Sequence, residues 1–216
     1  MVGIVALSFT EHAIHRHLMH RHRLPAWVYR ASGEFETQFH NHAVLHHTTY
    51  YKVFDQEPSG EGKYLNLRIL PPDVARVFAL FSPLCVALWV WLSLASALTL
   101  CAMILSHILL WNAVHVQMHV PEHQRWFRET GWFRLLARHH FMHHQRSNRH
   151  FNVVLPIADY LVGTTVAPSR ADVREMLRLG YLRPRTPVGL RFSGARRPST
   201  DASRKAGHFP AAQHEH

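Results

Sequence analysis

From Val77 to Pro121 the chain carries no Asp, Glu, Lys or Arg. At 1.5 Å per helical residue this stretch is about twice the length of one spanning helix, which predicts a transmembrane hairpin over about 74–119. The small polar residues of Ser93-Leu-Ala-Ser96 fall midway and place the turn there, with Trp89 and Trp91 at the far interface. Pro83 predicts a kink in the first arm. Soluble helices are seldom apolar all round over such a length, so the pattern favours a membrane hairpin over a buried one.

The flanks show shorter periods. Val2–Phe9 reads as the inner half of a helix, too short for a hydrocarbon core that needs roughly 20 residues. Pro25 ends the helix bearing the first histidines, and a polar run with Pro58, Gly60 and Gly62 precedes Pro71-Pro72 at the head of the hairpin. Residues 124–138 combine Trp126, Phe127, Trp132, Phe133, Leu135 and Leu136 with four arginines, a composition suited to an interfacial helix. Ser169 and Asp172 predict a capped helix through about Leu179. The expected architecture is an all-α integral membrane helical bundle, with a membrane domain over 1–165. A short helical extension over 166–183 and a disordered basic tail over 184–216 follow.

Charge adds an orientation. Lys plus Arg outnumber Asp plus Glu by 24 to 14. Arg68 and Arg76 before the hairpin, with Arg125, Arg128, Arg134 and Arg138 after it, put both open ends on the cytosolic side. Basic residues beside apolar segments suit anionic lipid headgroups better than nucleic acid. The two cysteines, Cys85 and Cys101, lie in apolar sequence and read as packing residues.

The candidate chemistry lies in four histidine groups: His15 and His20; His42, His46 and His47; His115 and His119; and His140, His143 and His144. Imidazoles three or four apart share a helix face and aim neutral nitrogens at one point. The first group is irregular, because residues five apart differ by about 140° on a regular helix. Only a distorted helix end, or a metal approached from two sides, lets His15 and His20 serve together. His107 lies two turns before His115 and deeper in the apolar stretch, where a polar residue suggests function. His107, Asn112 and Asp159 are candidates to support ligands through hydrogen bonds. The remaining histidines outside the tail, His12, His139 and His150 among them, read as solvated or interfacial.

Taken in order, His-Arg-x3-His at 15–20, His-x3-His-His at 42–47, Pro71-Pro72, His-x3-His at 115–119, His-x2-His-His at 140–144 and Asn152-Val-Val-Leu-Pro-Ile-Ala-Asp-Tyr-Leu-Val-Gly-Thr164 resemble the fatty acid hydroxylase superfamily. That superfamily of membrane di-iron enzymes includes fatty acid 2-hydroxylases, sterol desaturases and oxidases, and carotenoid-ring hydroxylases. The resemblance covers residues 10 to about 165. It implies two iron ions, with zinc as a possible substitute, held by His15, His20, His42, His46, His47, His115, His119, His140, His143 and His144. It also implies O2 as co-substrate, a lipid substrate and a separate electron donor resembling cytochrome b5 or a ferredoxin. Two departures stand out. The 2-hydroxylase pattern has two residues before the paired histidines of the second group, whereas here three separate His42 from His46, leaving His40 or His42 as the ligand. Trp111-Asn112 replaces that subgroup's Tyr-Asp. An all-imidazole set suits iron, zinc or copper alike. Lipid hydroxylation is therefore expected from the resemblance, with desaturation on the same site, or a non-redox membrane zinc-binding protein, as alternatives.

Overall fold

The computed structural model describes residues 2–21, 25–31, 33–50, 53–55, 67–120 and 126–183, and among these it is helical with no strand. The polar run around Pro58 and the tail from 184 onward lie outside the described residues. Helix α1 (Val2–Ile14) continues into a π-helical turn, His15–Met19. Short helices α2 (Ala26–Ala31) and α3 (Gly33–Phe39) lead to a second π-helical segment, His40–His46, and α4 (His47–Tyr50). The hairpin is α5 (Pro71–Trp91) and α6 (Leu94–His119). Helices α7 (Gly131–Gln145), α8 (Ile157–Val162) and α9 (Arg170–Arg178) complete the chain.

Local signals explain these boundaries. Pro71 and Pro72 open α5, where missing amides cost nothing, and Asp73 Oδ2 accepts the Leu70 N–H at 3.1 Å. Ser93 caps α6 by accepting the Ser96 N–H at 3.1 Å, so the hairpin turns at Ser93, within the stretch its small polar residues marked. The Ser169–Asp172 capping box opens α9. The interfacial helix expected over 124–138 is divided differently: Thr130 accepts the Phe133 N–H and starts α7, leaving Trp126–Glu129 as a 3-10 turn. Helix α7 thereby runs on through its four histidines, His139, His140, His143 and His144.

Helix α5 buries no residue and α6 is buried mainly in its last turns, where Val114–His119 are all covered. Both helices are long and apolar enough to cross a membrane. Trp89 and Trp91 are exposed near the hairpin turn. The core lies at the opposite end, where Trp111, Val114 and Met118 pack with Phe133, Leu136, Phe141, Met176 and Tyr181. Tyr181 reinforces it by donating to Met118 O at 2.7 Å. The cysteine thiols face each other across α5 and α6 at 3.6 Å, both half-buried.

Candidate metal centre

Two π-helical segments solve the spacing problem of the first histidine group. Bonding from residue i to i+5 adds a residue to the turn, so side chains five apart return to nearly one face. His15 and His20 flank the first such turn, and their Nε2 atoms come to 3.2 Å. In the second, the His47 N–H reaches His42 O, which aligns His42 with His47 and turns His46 away. Regular helix handles the other pairs: His115 with His119 on α6, and His140 with His144 on α7, each four apart.

All ten candidate ligands thus converge, divided between two clusters. Cluster A holds His15, His20, His42, His47 and His143, with one nitrogen from each lying within 4.8 Å of all the others. Cluster B holds His46, His119, His140 and His144 on the same terms, and His115 joins it with its Nε2 3.1 Å from that of His140. The π-segment and α7 each feed both clusters. His47 and His144 stack across the seam at 4.3 Å between ring centroids. Of the two residues left open in the second group, His42 lies in the cluster, buried with its Nε2 2.7 Å from that of His15, whereas His40 is exposed.

Backbone carbonyls set the tautomers. Phe151 O faces His15 Nδ1, Arg149 O lies 2.7 Å from His143 Nδ1, Leu67 O lies 3.0 Å from His115 Nδ1, and Phe54 O lies 2.9 Å from His119 Nδ1. A carbonyl only accepts, so Nδ1 carries the hydrogen and Nε2 presents a bare lone pair to the cluster. His140 Nε2 stands 3.1 Å from His115 Nε2, 3.0 Å from His119 Nε2 and 3.1 Å from His144 Nε2, yet holds at most one hydrogen to give. The Nδ1 atoms of His46, His140 and His144 are buried with no hydrogen-bond partner among the described residues.

Protonation does not relieve this crowding. Burial, then the neighbouring imidazoles, pushes His42, His46, His140, His143 and His144 well below the ordinary 6.5. His47 is pushed down to about 3 by the same causes. Converging lone pairs that resist protons are what a metal cation satisfies. The spacing fits as well: with metal–nitrogen bonds of about 2.1 Å, ligands at right angles stand about 3.0 Å apart and tetrahedral ones about 3.4 Å. Neighbouring Nε2 atoms stand as close as 2.7 to 3.2 Å, the scale of ligands that share one ion. The two buried histidine groups could each hold a metal ion.

The three supporting candidates act at a remove. Among the described residues none touches a cluster nitrogen. Asn112 accepts the Ile69 N–H at 2.7 Å and donates to Ile69 O at 3.0 Å, pinning the segment whose Leu67 carbonyl anchors His115. Asn112→Ala is expected to cost about 1–3 kcal/mol, because it leaves the Ile69 backbone groups unpaired. A lower thermal midpoint checks this, and Asn112→Asp, which keeps the acceptor, recovers part of the loss. His107 Nε2 lies 3.7 Å from Glu11 Oε2. Asp159 is fully buried and reaches cluster A through one peptide: its Oδ2 accepts the Asn152 N–H at 2.6 Å, on the same peptide as the Phe151 carbonyl that faces His15. Burial raises the Asp159 pKa, but hydrogen bonds from His139, Thr164 and the Asn152 amide outweigh it and hold the carboxyl below its usual range.

Three histidines depart from the sequence reading. His12, His139 and His150 are buried rather than solvated, bonded respectively to Thr164, Asp159 and the Val166 amide. Glu11 was not singled out, although an ionisable residue closing an apolar helical stretch is itself a signal. His139 carried none, since its partner lies 20 residues away.

Compared with known proteins, the chain matches no family model, no curated protein and no solved structure.

Proposed function

We propose that the protein is a membrane-bound di-iron oxygenase that hydroxylates a C–H bond of a fatty acyl, sterol or carotenoid lipid, using O2 and electrons from a separate donor protein. The observation that carries the reading is the pairing of two imidazole clusters at the foot of an apolar hairpin. Each cluster gathers five imidazoles, more than the four of a tetrahedral structural zinc site, which supports iron over zinc. Two iron ions, when bound, would supply the redox chemistry that turns O2 against an unactivated C–H bond, a chemistry zinc lacks.

The chain's own residues do the rest. His15, His20, His42, His47 and His143 would hold one ion, and His46, His115, His119, His140 and His144 the other. Trp111 against His115 and Tyr50 against His119, with ring centroids at 4.1 and 4.2 Å, wall cluster B with carbon and keep water out. Among the described residues most of the apolar surface of α5 and of the first turns of α6 meets no protein partner, which suits lipid contact and would bring substrate to the clusters. The arginines beside both ends of the hairpin support a cytosolic side for the clusters, where they would favour an acidic donor. The ordered histidine groups and Asn152–Thr164, which resemble the fatty acid hydroxylase superfamily, support the same reaction class.

The test is direct. Purified protein loaded with iron, in lipid, with reductant, O2 and a panel of fatty acyl, sterol and carotenoid lipids is expected to yield a product gaining one oxygen. A product lacking two hydrogens means desaturation on the same site. Protein that binds two zinc ions and turns nothing over, even after iron loading, overturns the oxygenase reading.

A further inference from the structure

Between His150 and Pro156 the backbone gives five successive amides to two buried carboxylates. Asp159 Oδ1 accepts the Phe151 N–H at 2.9 Å, and its Oδ2 accepts the Asn152 N–H at 2.6 Å. Glu11 Oε1 accepts the Val153 and Val154 N–H groups at 2.7 and 3.0 Å, and its Oε2 accepts that of Leu155 at 3.2 Å. Asn152 Nδ2 adds a donor to Glu11 at 3.1 Å and one to Ser8 O at 2.8 Å. With its amides thus engaged, the strap turns carbonyls to side chains: Phe151 O receives His15 Nδ1, and Leu155 O receives the Ser8 hydroxyl.

Asp159 is itself held by a chain whose polarity can be read step by step. The Val166 N–H lies 2.9 Å from His150 Nε2, closer than the Val166 carbonyl at 3.3 Å, which favours the hydrogen of His150 on Nδ1. That hydrogen points to His139 Nδ1 at 3.2 Å, so His139 carries its own on Nε2 and donates it to Asp159 Oδ2 at 2.8 Å. Thr164 donates to Asp159 Oδ1 and accepts from His12 Nε2 at 3.2 Å. His150 adopts a left-handed backbone conformation, φ 54°, to take its place, at roughly 1–2 kcal/mol. Each imidazole of the His150–His139 chain is thus bonded at both nitrogens.

The carbonyl anchors divide the same way. Among the described residues the carbonyl anchors of cluster A are Phe151 O, on the strap, and Arg149 O, just before it, whereas those of cluster B, Phe54 O and Leu67 O, lie on other segments. We propose that Glu11 and Asp159 form a two-carboxylate clasp dedicated to cluster A: positioning residues that fix the strap carrying its carbonyl anchors, so that one metal site can be weakened without the other. The proposal rests on the two-metal reading above and adds that the two sites have separate structural supports.

Anaerobic titration of the metal-free, full-length protein with Co2+, followed by calorimetry and visible absorption, separates the possibilities. Wild-type protein is expected to bind two ions. Glu11→Gln and Asp159→Asn are each expected to weaken one site about 10- to 100-fold and leave the other unchanged, the size usual for residues that orient ligands. Thr164→Val removes a single donor from Asp159 while keeping both carboxylates, and is expected to weaken the same site by a few fold. It decides the matter should either carboxylate variant fail to fold. Equal weakening of both sites, or two intact sites in Thr164→Val and in whichever carboxylate variants fold, overturns the clasp. A wild-type protein that binds fewer than two ions overturns the two-metal reading instead.

Discussion

His143→Ala is expected to remove the oxygenated lipid from cells expressing the protein, lowering product by at least about 100-fold, beyond the range seen when only a supporting residue is lost. His143 is the one side chain that α7 gives to cluster A, and its Nε2 lies 2.9 Å from that of His20 and 3.1 Å from that of His47. It therefore touches one member of each π-helical pair, and its removal opens the cluster at the point where the two segments meet. Its Nδ1 bond to Arg149 O disappears as well, freeing one end of the strap. Cluster B keeps every ligand, so purified variant protein is expected to retain one ion of two. Comparative lipidomics of cells with wild-type protein, His143→Ala and His40→Ala supplies the measurement. His40 is exposed beside the second π-segment and its replacement is expected to leave product unchanged. Equal product in all three, with metal still bound, would falsify the assignment of cluster A to the reaction.

The hairpin was legible in the sequence because hydrocarbon imposes a simple rule: charge is absent where lipid is met, and Ser93 marks the turn with a side chain that caps a helix. The ten imidazoles were legible as a set for a similar reason, since a histidine repeated on one face has few other uses. Their partition into two clusters was not. It depends on π-helical turns at His15–Met19 and His40–His46, and no local residue announces an i to i+5 bond. With regular helix, His42 and His46 would pair; the added residue per turn sends them to different clusters. Nor could periodicity reveal that Glu11 meets the amides of 153–155, because contacts across more than 140 residues leave no spacing to read. From sequence His12, His139 and His150 read as solvated or interfacial, because a polar side chain is exposed by default. Here their hydrogen bonds to Thr164, Asp159 and the Val166 amide offset burial one by one.

Acid is expected to separate metal-free from metal-loaded protein sharply. Burial holds His42, His46, His140, His143 and His144 far below 6.5 in the folded chain, and His47 down to about 3, while in the unfolded chain all titrate near 6.5. Below 6.5 the unfolded chain therefore binds protons that the folded chain refuses. Each such histidine removes up to about 1.4 kcal/mol of stability per pH unit, with nothing lost above that range. Several acting together exceed the reserve of an ordinary domain within a unit or two, so metal-free protein is expected to unfold by about pH 5. A bound ion opposes this, adding about 4.1 kcal/mol when free metal stands 1,000-fold above its dissociation constant. Two ions should hold the loaded protein folded to a pH at least about one unit lower. Circular dichroism of both forms in detergent, from pH 8 downward at fixed free metal, measures the shift. Coincident curves would mean that the buried imidazoles take protons as readily as they take metal, and the lone pairs gathered at clusters A and B would need another explanation.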